Sequence, residues 1–130
     1  MVTLHADATT HDTGYALTQQ ELKFQPTAIL AINDAMALGA LDAVQEAGLS
    51  VPKDIAITGF DDIEPAQLSS VPLTTVHLPK RTLGRVAVRQ LLDCIAEPGI
   101  AHQRAQLETS LVIRQSCGCA PLPAAARGGD

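Results

Sequence analysis

An apolar run, Ala28 to Ile32, stops at the polar pair Asn33-Asp34, and a stretch with helical spacing begins at once. The same order recurs at Ile55 to Asp62, IAITGFDD, where a second apolar run ends in two carboxylates. Few folds accept that grammar. Strand, helix and strand in immediate succession form a crossover unit, which is right-handed in nearly all cases and requires parallel strands. Unbroken rather than alternating apolar runs belong to strands covered by helices on both faces. The chain is therefore expected to be α/β with a parallel sheet, organised around Pro26 to Val44.

Within that stretch Asp34 is expected to cap a helix running from about Ala35 to Ala47. At 100° per residue, Ala37, Ala40, Leu41, Val44 and Gly48 gather on one side as the sheet-facing stripe. Leu38 falls on the opposite side, near Asp42 and Gln45, either as a lone exposed leucine or as a contact for a second subunit. Gly48 suits the left-handed residue that ends a helix, and Pro52 bars its continuation.

Elsewhere, Val2 to Leu4 reads as a short strand, and Asp12 as the cap of a helix from Thr13 to Lys23. Gly59 to Ser70 reads as a loop with a helical turn at Pro65 to Leu68, and Val71 to His77 as an extended segment. Pro79 opens a third helix, to about Ala96, in which Leu83, Val86, Ala87, Gln90, Leu91 and Cys94 recur at helical spacing. Ala105 to Gln115 reads as one or two closing strands. The small, Pro/Gly-rich tail from Ala120 to Asp130 is expected to be disordered.

A chain of 130 residues has room for one domain with a modest core. Aromatic residues make up only 2% of it while 46% is hydrophobic, so that core must be built from Ala, Leu, Val and Ile. The net charge is -5 and no run of Lys or Arg occurs, so this chain alone lacks the means to neutralise a phosphate backbone. Cys94, Cys117 and Cys119 are odd in number, and C-x-C is not the spacing of a structural zinc site. They read as thiols of a reducing cytosol. The first residues have neither the basic nor the apolar region of a signal peptide, and no apolar run approaches the roughly 20 residues that span a bilayer. A soluble, cytoplasmic chain without a membrane partner is expected.

In open parallel sheets, ligands bind beyond the carboxyl ends of the strands. Asn33 and Asp61 occupy those ends. An amide offers both donor and acceptor, and a carboxylate accepts several hydroxyl hydrogen bonds, which suits a small polyhydroxylated or amine-bearing molecule. Asp62 reads as a turn residue. Catalytic readings fare worse: G-x-S-x-G, G-x-x-x-x-G-K and H-E-x-x-H are all absent, and His5, His11, His77 and His102 are scattered. A phosphoryl or magnesium site at Asp61-Asp62 would want a Lys or Arg clamp, and none follows a strand. No catalytic residue, metal or cofactor is expected.

PTAILAINDAMALGAL, GLSVPKDIAITGFDD, PLTTVHLPKRTLGRVA and LVIRQSCGC, in this order and spacing, resemble the carboxyl-terminal part of LacI/GalR-family transcription regulators. The resemblance runs from about Asp12 to Cys119. It implies a type I periplasmic-binding-protein-like fold, a parallel-sheet three-layer sandwich, present here in part and mainly as the C-terminal subdomain. It further implies a domain over residues 1–119, with a helix at about 79–96 from the N-terminal subdomain, and a tail at 120–130. By the same resemblance Asn33 and Asp61 contact a small-molecule effector, commonly a sugar or purine, and Leu38, Leu68 and Ser69 lie on a homodimer surface. Leu73 to Val76 looks like a crossover between subdomains. The family often has a polar residue where this chain has Leu78, a departure at the cleft. With no helix-turn-helix before Met1 and most of the amino-terminal subdomain missing, DNA contact is expected only through a headpiece absent from this chain. A fragment of a periplasmic sugar-binding protein of an ABC transporter is the competing reading; the S-C-G-C ending and L-T-T-V-x-x-P favour the regulator.

Overall fold

The computed structural model describes residues 3–97, 99 and 104–119. Helix α1 (His11–Glu21) leads through a 3₁₀ turn (Leu22–Phe24) to strand β1 (Ala28–Leu30) and helix α2 (Asp34–Glu46). Strand β2 (Ala56–Thr58), the short helix α3 (Glu64–Leu68), strand β3 (Thr75–His77), helix α4 (Lys80–Ala96) and strand β4 (Ser110–Val112) follow. The crossover unit is as expected: β1 and β2 are parallel, with Ala28 opposite Ala56, Ile29 opposite Ile57 and Leu30 opposite Thr58. Strands β3 and β4 are neighbours, and single parallel bridges, Thr58 to Thr74 and Asp61 to His77, join β2 to the β3 segment.

The chain divides into two compact units, one holding everything to His77 together with the segment from Leu111, the other Leu78–Ser110. The core lies in the first. Ala37, Ala40, Leu41 and Val44 of α2 meet Val51, Ile55, Ile57, Ala66 and Leu73, all buried. The stripe read from the sequence is therefore the buried one, except that Gly48 lies beyond the helix, in the left-handed conformation (φ 76°) that ends it. Coverage of both strand faces is not reached: Leu30 is 85% and Ile32 70% exposed.

Two details depart from the sequence reading. The first helix begins at His11 and is capped by Thr10, whose hydroxyl accepts the Thr13 N–H, so Asp12 is a first-turn acid rather than the cap. Thr3 and Leu4 form no strand, and Met1, Val2 and the tail from Ala120 lie outside the described residues. The crossing of α1 over α2 is also closer than any periodicity suggests. A Cβ on Gly14 would stand 2.3 Å from the Met36 carbonyl oxygen, and one on Gly39 2.0 Å from the His11 carbonyl oxygen. Polar contacts tie the same pair of helices: His11 Nε2 lies 2.9 Å from Asp42 Oδ2, and the Tyr15 hydroxyl donates to Glu46.

In the second unit α4 has no buried residue, and Leu83, Val88, Leu91, Leu92 and Ile95 are all exposed. An apolar surface of that kind drives association in water. The chain by itself is expected to self-associate as its concentration rises, which sizing chromatography with light scattering measures; a monomer at every concentration would contradict this.

Candidate functional site

The carboxyl ends of β1 and β2 gather a polar cluster in the first unit, and its buried centre is Asp34. The helix cap is not Asp34 but Asn33, whose backbone is extended (φ -149°, ψ 171°) and whose Oδ1 accepts the Met36 N–H at 2.9 Å. Asp34 is instead the first helical residue, fully buried. Its Oδ1 accepts the Thr75 hydroxyl at 2.6 Å, its Oδ2 the Ile63 N–H at 2.9 Å, and its own N–H donates to the Phe60 carbonyl at 2.8 Å. One carboxylate thus joins the start of α2, the loop after β2 and strand β3. Gly59 makes room for it, since a Cβ there would stand 2.2 Å from Asp34 Oδ1.

Asn33 is half-buried, and its amide also donates to the Thr9 carbonyl at 3.0 Å. An amide has two hydrogens and two lone pairs, so the cap and the Thr9 bond together leave one of each for another partner. Asp61 and Asp62 carry positive φ angles, 106° and 52°, where side-chain-bearing residues are strained. The Asp61 N–H donates to the Val76 carbonyl at 3.0 Å, which anchors this turn to β3.

Asp62 is more than a turn residue. Its carboxylate accepts from Arg114 Nη2 at 2.6 Å and lies 2.9 Å from His77 Nδ1. Arg114 also donates through Nη1 to the Leu73 carbonyl at 2.9 Å. A cation beside these acids, absent from the sequence reading, is thus supplied by the segment after β4. Burial raises the Asp62 pKa, but the Arg114 and His77 hydrogen bonds and charges outweigh it and leave the group below its ordinary value. A carboxylate with a depressed folded pKa stabilises the fold above its unfolded value of 3.8, and that contribution is lost as pH falls through the folded pKa. The Asp62→Asn variant should therefore lose stability at neutral pH and show a shallower decline on acidification, which denaturant melts at a series of pH values measure. Equal slopes for the two proteins would be evidence against it.

Among the described residues no group of three or more His, Cys, Asp or Glu side chains is placed to hold a metal ion.

A separate groove of about 850 Å³ runs between α2 and α3. Leu38, Leu68 and Ser69 all line it, so the structure brings the three together. Leu68 is 74% exposed, while the Ser69 hydroxyl faces the Ala66 and Val71 carbonyls at 3.2 and 2.9 Å.

Residues 2–117 match the periplasmic binding protein-like domain family. The chain is 48% identical over 94 residues to the HTH-type transcriptional repressor MelR of Bacillus subtilis, covering 72% of this chain but only 27% of that protein. Among solved structures, a LacI family transcriptional regulator from Enterococcus faecium with bound ribose is similar at a TM-score of 0.77 and 32% identity, over 88% of this chain and 42% of the other. The lac repressor dimer bound to operator and an anti-inducer is similar at a TM-score of 0.75 and 37% identity, over 83% and 38%. The resemblance read from the four motifs is thereby borne out.

Proposed function

This chain belongs to the periplasmic binding protein-like domain family, and on that premise we propose that it forms one wall of the effector site of a LacI-type transcription regulator. The effector is a small polyhydroxylated molecule, a sugar first among them, and Asn33 and Asp61 are its contacts. The observation that carries this reading is the backbone of Asp61. A residue held at φ 106° just beyond a strand costs on the order of 1–3 kcal/mol, and such strain concentrates at ligand sites. Asn33 supports it with the amide hydrogen and lone pair that its bonds to Met36 and Thr9 leave over. The ribose bound to the Enterococcus faecium regulator favours a sugar. That the similar proteins are transcription regulators favours this reading over a transporter's binding protein.

As part of such a regulator the chain works in the cytoplasm as a binding module, not as an enzyme. DNA contact belongs to a headpiece outside this chain. The α1–α2 elements with β1 and β2, and the segment from Leu111, form its C-terminal subdomain; α4 belongs to the N-terminal one. The groove holding Leu38, Leu68 and Ser69 is the homodimer surface.

A thermal-shift screen of the full-length regulator containing this chain, against pentoses, hexoses and purines, tests the site. A ligand at 100 times its Kd stabilises by about 2.7 kcal/mol. The Asp61→Ala variant should show no shift with ligand relative to its own ligand-free melt; a shift that persists would remove Asp61 from the site.

A further inference from the structure

The last described turn sets two thiols on either side of one glycine, outside the polar cluster. Cys117 and Cys119 flank Gly118, whose φ of 72° folds the chain back so that the Cys119 N–H donates to Cys117 Sγ at 3.3 Å. The Cys117 thiol in turn donates to the Arg114 carbonyl at 3.9 Å. Cys117 is half-buried and Cys119 exposed, so the pair is reachable from solvent. Neither is part of a disulfide, and no third ligand joins them in a metal-binding group among the described residues.

We propose that Cys117 and Cys119 are a two-electron redox site: a hydroperoxide oxidises Cys117, and Cys119 then closes a disulfide across Gly118. In the first step the Cys117 thiolate sulfur attacks one peroxide oxygen. The O–O bond breaks, a sulfenic acid forms, and the departing oxygen takes up a proton and leaves as water when the oxidant is hydrogen peroxide. In the second step the Cys119 sulfur attacks the Cys117 sulfur. The S–S bond forms, the S–O bond breaks, and the hydroxide released combines with the Cys119 proton as a second water. The peroxide gains the two electrons that the sulfur pair loses.

The order of the two thiols follows from their surroundings. Burial pushes the Cys117 thiol up, but hydrogen bonds from Thr74, from the Cys119 side chain and from the backbone overcome it and leave Cys117 below its ordinary value. The hydrogen bond and charge of Cys117 hold Cys119 above its own. The attacking sulfur is thus Cys117, and Cys119 keeps the proton needed for the second departure. In a reducing compartment the pair rests as the dithiol and reports transient oxidant.

The test exposes the full chain to hydrogen peroxide, quenches with an alkylating agent and maps thiols by peptide mass spectrometry. Two thiols per chain should be lost, with a reductant-reversible link between Cys117 and Cys119 in a single peptide. In the Cys119→Ser variant dimedone should label Cys117, and in Cys117→Ser it should leave Cys119 unlabelled. A link to Cys94, a link between chains, or oxidation of Cys117 no faster than Cys94 overturns the proposal.

Discussion

Replacing Gly39 with alanine will loosen α1 from α2 and destabilise the fold by about 2 kcal/mol, the balance of two opposing effects. Alanine gains about 1 kcal/mol over glycine in a helix interior. Against this, the new methyl would stand 2.0 Å from the His11 carbonyl oxygen and 2.7 Å from the Tyr15 nitrogen. These are backbone atoms that no rotamer change can withdraw, which puts the overpacking at the upper end of its usual range, about 3 kcal/mol. The same substitution at Gly84 of α4, where an added Cβ meets nothing within 4 Å, should be neutral to stabilising. Denaturant melts of the two variants make the comparison. A stable Gly39→Ala protein would mean that α1 does not pack on α2 as described.

The Asp34→Ala substitution is expected to cost about 2–6 kcal/mol, from about 1–3 kcal/mol for each buried donor left without an acceptor. Two donors, the Thr75 hydroxyl and the Ile63 N–H, would lose their acceptor inside the fold. A carboxylate in the first helical turn also interacts favourably with the helix dipole. The Asp34→Asn substitution is the informative contrast. The oxygen of the new amide can accept from the Ile63 N–H while its nitrogen donates to the Thr75 hydroxyl, so this variant should recover much of the loss. Amide hydrogen exchange at Ile63 gives a local reading. Unchanged protection there in Asp34→Ala would show that another group takes over the acceptor role.

Periodicity reports the local elements of this chain well. Ala28 to Leu30, Ala56 to Thr58 and the buried stripe of α2 each follow from local runs of apolar residues, and the βαβ rule supplies their pairing. The cap of α2 is harder to read. Asn33 and Asp34 are both good capping residues in adjacent positions, and the choice rests on which one leaves the extended backbone, a property of the turn rather than of either side chain. Gly14 and Gly39 are invisible for a different reason. A glycine inside a helical pattern reads as a loss of propensity, whereas its use here is to admit another backbone. The Asp62–Arg114 pair joins residues 52 apart in the chain, and no local signal marks such a partner. Arg114 is nonetheless the one cation in an otherwise apolar and polar-neutral closing segment, LVIRQSC, which is the trace it leaves.

One consequence concerns the route of the chain. Among the described residues, the core cluster and those packed at its margin lie between Leu22 and Val71 or at Leu73. Later residues re-enter the first unit as hydrogen-bonding partners: the Ser116 hydroxyl donates to the Ile57 carbonyl at 2.6 Å and accepts the Thr74 N–H at 2.8 Å. Since β3 and β4 are neighbours, the excursion Leu78–Ser110 leaves and returns at one place. In polymer terms it is an insertion with juxtaposed ends. The entropy of closing such an insertion rises only with the logarithm of its length, by about 0.6 kcal/mol for each doubling. A change in the length of that segment is therefore cheap, while the seam at Ser116 keeps the register of the rest.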